Sequence, residues 1–429
     1  MKKLFFTLTA LALLSSVEMV NAQQQEKVRK VLFIGIDGVR SDALQQANTP
    51  VIDSLVNVGL YTFDSWHCGI TSSGASWSDM MTGVWESKHR VTNNSYANAD
   101  YNNYPYFIKR AKECRPDLKA IQVITWDQMN DPSANSNSPY GYVYNSGFDK
   151  SIDAGDAWQH AVTNSAIIQL MNPDLDVLFI HYDEVDGRGH GTGFDPNNPI
   201  YINQIQDIDA QIGEVLNALK SRPSIDDENW LILLSTDHGG IGLSHGGNAN
   251  TERHIWWIAA GEDIPHLQIT GNDPGSYVMG DNPVDTTMLK NTPVLTDIAV
   301  TALDHLVRGT GCGHPEENIL WDLDGKSWLM TDTTSGPTYV EDVEDAAVAF
   351  GVYPNPNDGA FDIVFKDIAG TVKITIVNIA GQVVEQKMVS VKGDTMGKTR
   401  FDLKHLPKGL YSLQVQYGNK STTRKMVLR

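Results

Sequence analysis

VRKVLFIGIDG, Val28 to Gly38, is the stretch on which the fold turns. Beyond Arg29 and Lys30 it is continuously apolar, without the alternation of a half-exposed strand, and it stops at Asp37-Gly38. Such a run marks a strand covered on both faces, as in a parallel sheet. AIQVITWDQ from Ala120, DLDVLFIHYDEVDG from Asp174 and NWLILLSTDHGG from Asn229 repeat the form, each ending in a polar cluster. Between them lie helix-like stretches: TPVIDSLVNVG from Thr49, YPYFIKRAKEC from Tyr104 and IYINQIQDIDAQIGEVLNALK from Ile200. Strand and helix alternate, which predicts an α/β sandwich with a mostly parallel central sheet. Folds of this kind place ligands in the loops beyond the carboxyl ends of their strands.

Further along the chain the texture changes. TDTTSGPTYVEDVEDA from Thr331 is rich in turn formers and acids and reads as a linker. Beyond it, YPNPNDGAFDIVF, TVKITIVNIAGQVVEQK and GLYSLQVQYGNKSTTRKMVLR alternate apolar and polar residues between Gly and Asn turns, which predicts a small all-β sandwich. At the other end, two lysines, an apolar run from Leu4 to Leu14 and small residues before Gln23 form a secretory signal with cleavage after Ala22. The expected layout is a leader over 1–22, an α/β domain over 23–330, a linker over 331–348 and a β-sandwich domain over 349–429. No later stretch approaches the roughly 20 apolar residues of a spanning helix, so no transmembrane segment is expected.

The formal net charge of -19 argues against a nucleic-acid partner, because such proteins cluster Lys and Arg to replace phosphate counterions. A small anionic substrate stays possible where bound cations reverse the local field. Cys68, Cys114 and Cys312 are an odd set in an exported chain, compatible with one internal bridge or three buried thiols, and spacing does not choose the pair.

The chemistry-bearing residues fall at the predicted strand ends. Asp37 closes the first strand; Asp186 and His190 lie in VDGRGHG, Asp237 and His238 follow NWLILLST, and His245 follows in LSHGG. Asp186 and His190 have i, i+4 spacing, but Gly187 and Gly189 argue against a helix there. Three carboxylates and three imidazoles are the ligand types of zinc and similar ions, and about the number that two such ions need. His254, which opens the apolar ERHIWWIAAG, is the rival to His245 and reads as structural. ITSSGASWSDMMTG, Ile70 to Gly83, adds six hydroxyl residues with Asp79 as the only charge. A hydroxyl at a helix N-terminus faces free backbone N–H groups that favour an anion.

In order and spacing these motifs resemble the alkaline phosphatase superfamily, and within it the type I phosphodiesterase and nucleotide pyrophosphatase branch. The resemblance rests on IGIDGVRSD, NTPVIDSLVNVG, a hydroxyl residue nine before Thr82-Gly83, KHRVTNN, DxxGH at Asp186 to His190, DHGG at Asp237 to Gly240, and HGG at His245 to Gly247, over residues 28 to 310. It implies an alkaline-phosphatase-like fold and selects Ser73 as the nucleophile over Thr71 and Ser72. It also implies two divalent cations, zinc first, one held by Asp37, Ser73, Asp237 and His238, the other by Asp186, His190 and His245. The implied reaction is hydrolysis of a small phosphoester through a phosphoseryl intermediate, with Asn94, or failing it Asn93, holding a non-bridging oxygen.

Alternatives differ at single residues. A sulfatase would carry arginine four positions beyond the nucleophile, where Trp77 stands; a phosphomonoesterase commonly adds Arg or Lys, where ITWDQM offers Trp126 and Asp127. Gly74 replaces the aromatic that often follows the nucleophile of nucleotide pyrophosphatases, and Trp66, Trp77, Trp85 and Trp126 read as stacking wall or core. An inactive secreted binding protein is the non-enzyme alternative. YPNP at Tyr353 to Pro356, IVNIAGQVV and LPKGLY at Leu406 to Tyr411 resemble the type A sorting domain of the type IX secretion system. That implies the secretion machinery as a partner and a secreted or outer-surface location reached through the periplasm. The competing reading of the same segment is a glycan-binding β-sandwich.

Overall fold

A computed structural model describes residues 26–130, 146–155, 158–278, 283–329, 348, 350–353, 355, 357–366, 368–378, 382–391, 396–418 and 420–429. The expected leader over 1–22 and the expected linker up to 347 lie outside the described residues.

Eight strands build the first sheet: β1 (Val28–Ile36), β2 (Leu60–Trp66), β3 (Ala120–Ile124), β4 (Lys150–Asp153), β5 (Val177–Tyr182), β6 (Glu228–Ser235), β7 (His254–Ala260) and β8 (Leu267–Gln268). Their order is β4-β3-β5-β1-β6-β7-β2-β8. β1 lies at the centre, parallel to β5 on one side and to β6 on the other. β7 alone runs against its neighbours β6 and β2. The apolar continuity of β1 has its cause in this position: Val31 and Phe33 face one core, Leu32, Ile34 and Ile36 the other, and all are buried.

Helices cover both faces. Ser73–Thr82, Phe107–Cys114 and Asp297–Val307 pack on the first core through residues such as Trp77, Ile108 and Leu303. Trp158–Leu170 and Pro199–Lys220 pack on the second through Val162, Ile205 and Ile212. The architecture is the expected α/β sandwich with a mostly parallel central sheet. Cys114 and Cys312 form a disulfide, and Cys68 is a buried free thiol.

The C-terminal strands are β9 (Phe350–Tyr353), β10 (Ala360–Lys366), β11 (Gly370–Asn378), β12 (Val383–Val391), β13 (Met396–Asp402), β14 (Gly409–Tyr417) and β15 (Lys420–Leu428). They form two antiparallel sheets, β13-β10-β9 and β12-β11-β14-β15, around one core that includes Phe350, Ile363, Ile374, Leu413 and Met426. Among the described residues, no helix is long and apolar enough to cross a membrane.

Candidate metal centre

The three central strands β5, β1 and β6 deliver the polar residues to one end of the sheet. Asp37 follows β1 directly, and its backbone N–H donates to Tyr182 O at the end of β5. Gly38 turns the chain with φ +70°, and a Cβ there would stand 2.7 Å from the Asp186 side chain. The Asp-Gly pair is therefore both a turn and a close approach that glycine permits. Gly38 N donates to Asp237 Oδ1 at 3.2 Å and Val39 N to Thr236 Oγ1 at 2.9 Å, tying the loops after β1 and β6 together. Ser73 begins the Ser73–Thr82 helix, and its Oγ lies 3.2 Å from His238 Nε2.

Asp186 and His190 correct the expectation of a non-helical segment: Glu184–Thr192 is an α-helix that includes Gly187 and Gly189. The glycine penalty of about 1 kcal/mol each is overridden by packing. A Cβ on Gly189 would meet the Phe194 ring at 2.2 Å, so only glycine lets this helix lie where it does. The i, i+4 spacing then puts both side chains on one helix face, His190 Nε2 3.3 Å from Asp186 Oδ2. His245, on the loop after β6, brings Nε2 within 3.1 Å of His190 Nε2 and 3.5 Å of Asp186 Oδ1.

The imidazole orientations test whether these residues fit a cation. His190 Nδ1 donates to Leu243 O at 2.8 Å, His238 Nδ1 to Gly239 O at 2.8 Å and His245 Nδ1 to Thr71 O at 2.7 Å. A carbonyl only accepts, so each Nδ1 carries a proton and each ring turns its Nε2 inward. The Nε2 atoms of His190 and His245 face each other at 3.1 Å, so a shared proton or a cation must lie between them. The carboxylates make the same demand. Asp37 Oδ1, Asp186 Oδ1 and Asp237 Oδ2 are buried without a hydrogen-bond partner. Burial, and then the charges of Asp37 and Asp186, push the Asp237 carboxyl well above the usual range. Burial acts upward on Asp37 as well, but His181, His238 and Trp77 outweigh it and hold that group low. The bond to Asp186 raises the His190 imidazole to about 9, whereas burial lowers His238.

The donor set fits divalent cations. Two groups have ligand atoms within 4.8 Å of one another: Asp186, His190 and His245, and Asp37, Asp186 and His238. Asp186 thus belongs to both groups, where the resemblance gave it to one. Asp237 Oδ2, outside both, lies 3.3 Å from His238 Nε2. Among the described residues, every ion-pair partner of the three carboxylates is a histidine, and no Lys or Arg reaches them.

The adjacent asparagines separate. Asn94 Oδ1 accepts from Gly74 N at 2.8 Å and from Ser72 Oγ at 2.9 Å, against the start of the Ser73–Thr82 helix. Asn93 Oδ1 accepts from Ser95 N and Oγ and closes a local turn. His254 stacks on Trp66 at 4.7 Å and pairs with Asp64, apart from the cluster. Trp66, Trp77 and Trp85 are buried, and Trp126 is partly so. Two contacts at the centre escaped the sequence reading: His181 and Trp77 both bond Asp37 Oδ2. The available signal was a lone histidine in the apolar run VLFIHY, since a buried polar group must find a partner.

Residues 31–255 match the family model for type I phosphodiesterase / nucleotide pyrophosphatase, and residues 351–429 match that for a secretion system C-terminal sorting domain. Bis(5'-adenosyl)-triphosphatase of Bos taurus is 22% identical over 226 residues, covering 49% of this chain and 47% of that protein. Ectonucleotide pyrophosphatase/phosphodiesterase family member 7 of Homo sapiens is 21% identical over 228 residues, covering 51% and 49%. The chain spans about half the length of the curated relatives it matches. Among solved structures, the phosphonate monoester hydrolase of Agrobacterium radiobacter superposes with a TM-score of 0.50 at 14% identity, covering 93% of this chain and 89% of that one. A 2-O GAG sulfatase gives a TM-score of 0.50 at 14% identity, covering 89% and 86%. At this identity the likeness is one of fold.

Proposed function

Since the chain belongs to the type I phosphodiesterase / nucleotide pyrophosphatase family, we propose that it is a phosphodiester hydrolase working with two divalent cations, zinc first, through a phosphoseryl intermediate. The catalytic unit is assigned to residues 23–330 and the sorting unit to 349–429, joined by 331–348. The sorting domain marks the protein for export to the cell surface or exterior.

One observation carries the proposal: Ser73 Oγ lies 3.2 Å from His238 Nε2, beside a cluster of buried carboxylate oxygens without hydrogen-bond partners. Divalent cations supply, when bound, the charge that lowers the serine pKa and stabilises the transferring phosphoryl group. Asp37, Ser73, Asp237 and His238 would hold one, and Asp186, His190 and His245 the other, with Asp186 within reach of both. Ser73 Oγ attacks phosphorus, forming the seryl P–O bond as one ester P–O bond breaks and an alcohol leaves. Water then cleaves the seryl bond and releases the monoester. Asn94, pinned through Oδ1 by Gly74 N and Ser72 Oγ, presents its Nδ2 to a non-bridging oxygen.

The charge pattern favours a diester monoanion over a monoester dianion, because the centre's neighbours are an amide and imidazoles rather than Lys or Arg. Trp77 stands where a sulfatase would carry arginine, and its indole is engaged by Asp37. The test compares turnover of bis-p-nitrophenyl phosphate and p-nitrophenyl phosphate by zinc-loaded protein. Faster diester turnover is expected. Dominant monoester turnover would make the protein a phosphomonoesterase, and zinc uptake without turnover of either would make it a binding protein.

A further inference from the structure

Four histidines surround the carboxylate cluster, and one is turned the opposite way. His190, His238 and His245 give Nδ1–H to backbone carbonyls and point Nε2 inward. His181, on β5, places Nε2 3.2 Å from Asp37 Oδ2. A carboxylate oxygen accepts, so here Nε2 carries the proton and the ring acts as a donor. Its Nδ1 is buried with no hydrogen-bond partner.

Trp77 Nε1 donates to the same Oδ2 at 2.9 Å. The two rings meet edge to face with centroids 4.8 Å apart, and both residues are fully buried. Phe179 and Trp126 stand 6.4 and 6.5 Å from the imidazole, so the ring has an aromatic surround. Oδ2 therefore receives two N–H donors, while Oδ1 has no hydrogen-bond partner and lies 3.5 Å from His238 Nε2.

We propose that His181 and Trp77 are positioning residues that make Asp37 a one-oxygen ligand and set the affinity of the cation it holds. The inference rests on the two-cation function proposed above. A carboxylate with both oxygens free rotates or chelates through both. With Oδ2 held from two directions, the carboxylate plane is fixed and only Oδ1 is presented. The indole does this without adding a charge that would repel a cation, and partners of this kind typically govern metal affinity by 10–100-fold. Trp77 lies four residues beyond Ser73 on the same helix, so the donor that orients Asp37 is also tied to the nucleophile.

The test uses the full chain with His181→Phe, Trp77→Phe and His181→Gln, whose amide nitrogen reaches about where the imidazole Nε2 lies. Zinc is titrated against a chromophoric chelator, and melting is followed in EDTA to separate a folding defect from a loss of affinity. His181→Phe and Trp77→Phe should each weaken one of two zinc dissociation constants about tenfold or more and leave the other near wild type. His181→Gln should restore most of the loss. Wild-type constants in both removals, or equal losses in His181→Gln and His181→Phe, would overturn the assignment. If His181→Phe does not fold, Trp77→Phe and His181→Gln still decide it. A wild-type protein that takes up no zinc would remove the proposed function together with this inference, whereas wild-type uptake with unaffected variants would remove the inference alone.

Discussion

The two halves of the centre are made of the same residue types but sit in different surroundings. The inner half, Asp37, Asp237 and His238, follows the central strands β1 and β6, and its side chains are at most 4% exposed. In the outer half, Asp186 and His190 ride a nine-residue helix and His245 a loop, and the His190 side chain is 45% exposed. A ligand at the end of a doubly covered strand is fixed by the core itself. One on a short helix or a surface loop is held by single hydrogen bonds, here His190 to Leu243 O and His245 to Thr71 O. On the function proposed above, the inner half would hold Ser73 still and the outer would admit and release solvent and ligand.

The largest effect should come from breaking each half in turn. Ser73→Ala removes the attacking oxygen, and with it one of the four ligands proposed for the inner cation, while leaving the fold in place, so turnover of bis-p-nitrophenyl phosphate should fall by about 10³-fold or more. His190→Ala empties a solvent-facing position that water refills, so the loss should be on the order of 100-fold at limiting zinc and partly recover with excess zinc. Equal, zinc-insensitive losses in the two variants would mean that the halves are not distinct. Wild-type turnover in Ser73→Ala would take that serine out of the chemistry.

A smaller effect with an informative sign is expected at Asp237. Its carboxyl is raised by burial and by the Asp37 and Asp186 charges, so keeping this group ionisable in the core opposes folding of the cation-free protein. For a carboxyl raised above its unfolded value, stability falls as pH climbs through the folded pKa. Asp237→Asn should therefore raise the melting temperature in EDTA by a few degrees, roughly what 1 kcal/mol gives in a chain of this size. The same variant should gain less than wild type when zinc is added. Calorimetry with and without EDTA reads both signs. Destabilisation in EDTA would show that Asp237 is held by something other than a cation.

How much of this was legible in the sequence follows the same division. The strands that position the inner half announced themselves, because a strand covered on both faces must be apolar throughout, as VRKVLFIGI and NWLILLS are. β2 did not: LYTFDSW is half-covered and mixed, and its place is set by pairing with β7 rather than by its own pattern. The helix under Asp186 and His190 was misread because intrinsic propensity counts the glycines, while Phe194, which makes glycine necessary, acts only in the packed structure. Asn93 and Asn94 are indistinguishable in a string, and only the position of Ser72 and Gly74 separates them. His181 and Trp77 meet Asp37 across gaps of 144 and 40 residues, which no local pattern records.

The smallest effect on turnover is expected at the far side of the same core. Cys114 ends the Phe107–Cys114 helix and bonds Cys312, which lies just beyond the Asp297–Val307 helix, closing a separation of 198 residues. The cavity beside the bridge is lined by Glu113, Asn318, Trp321, Val352 and Arg424 among others, none of them a residue of the centre. Loop-closure entropy puts the bridge's stabilisation at no more than about 5 kcal/mol for so long a loop, and denatured-state structure reduces it. Cys312→Ser should therefore lower the denaturant midpoint clearly while leaving zinc stoichiometry and diester turnover at wild-type values. If zinc affinity fell with stability, the rigidity of the inner half would be a property of the whole first core rather than of the strand ends, and the contrast between the two halves would have to be redrawn on that basis.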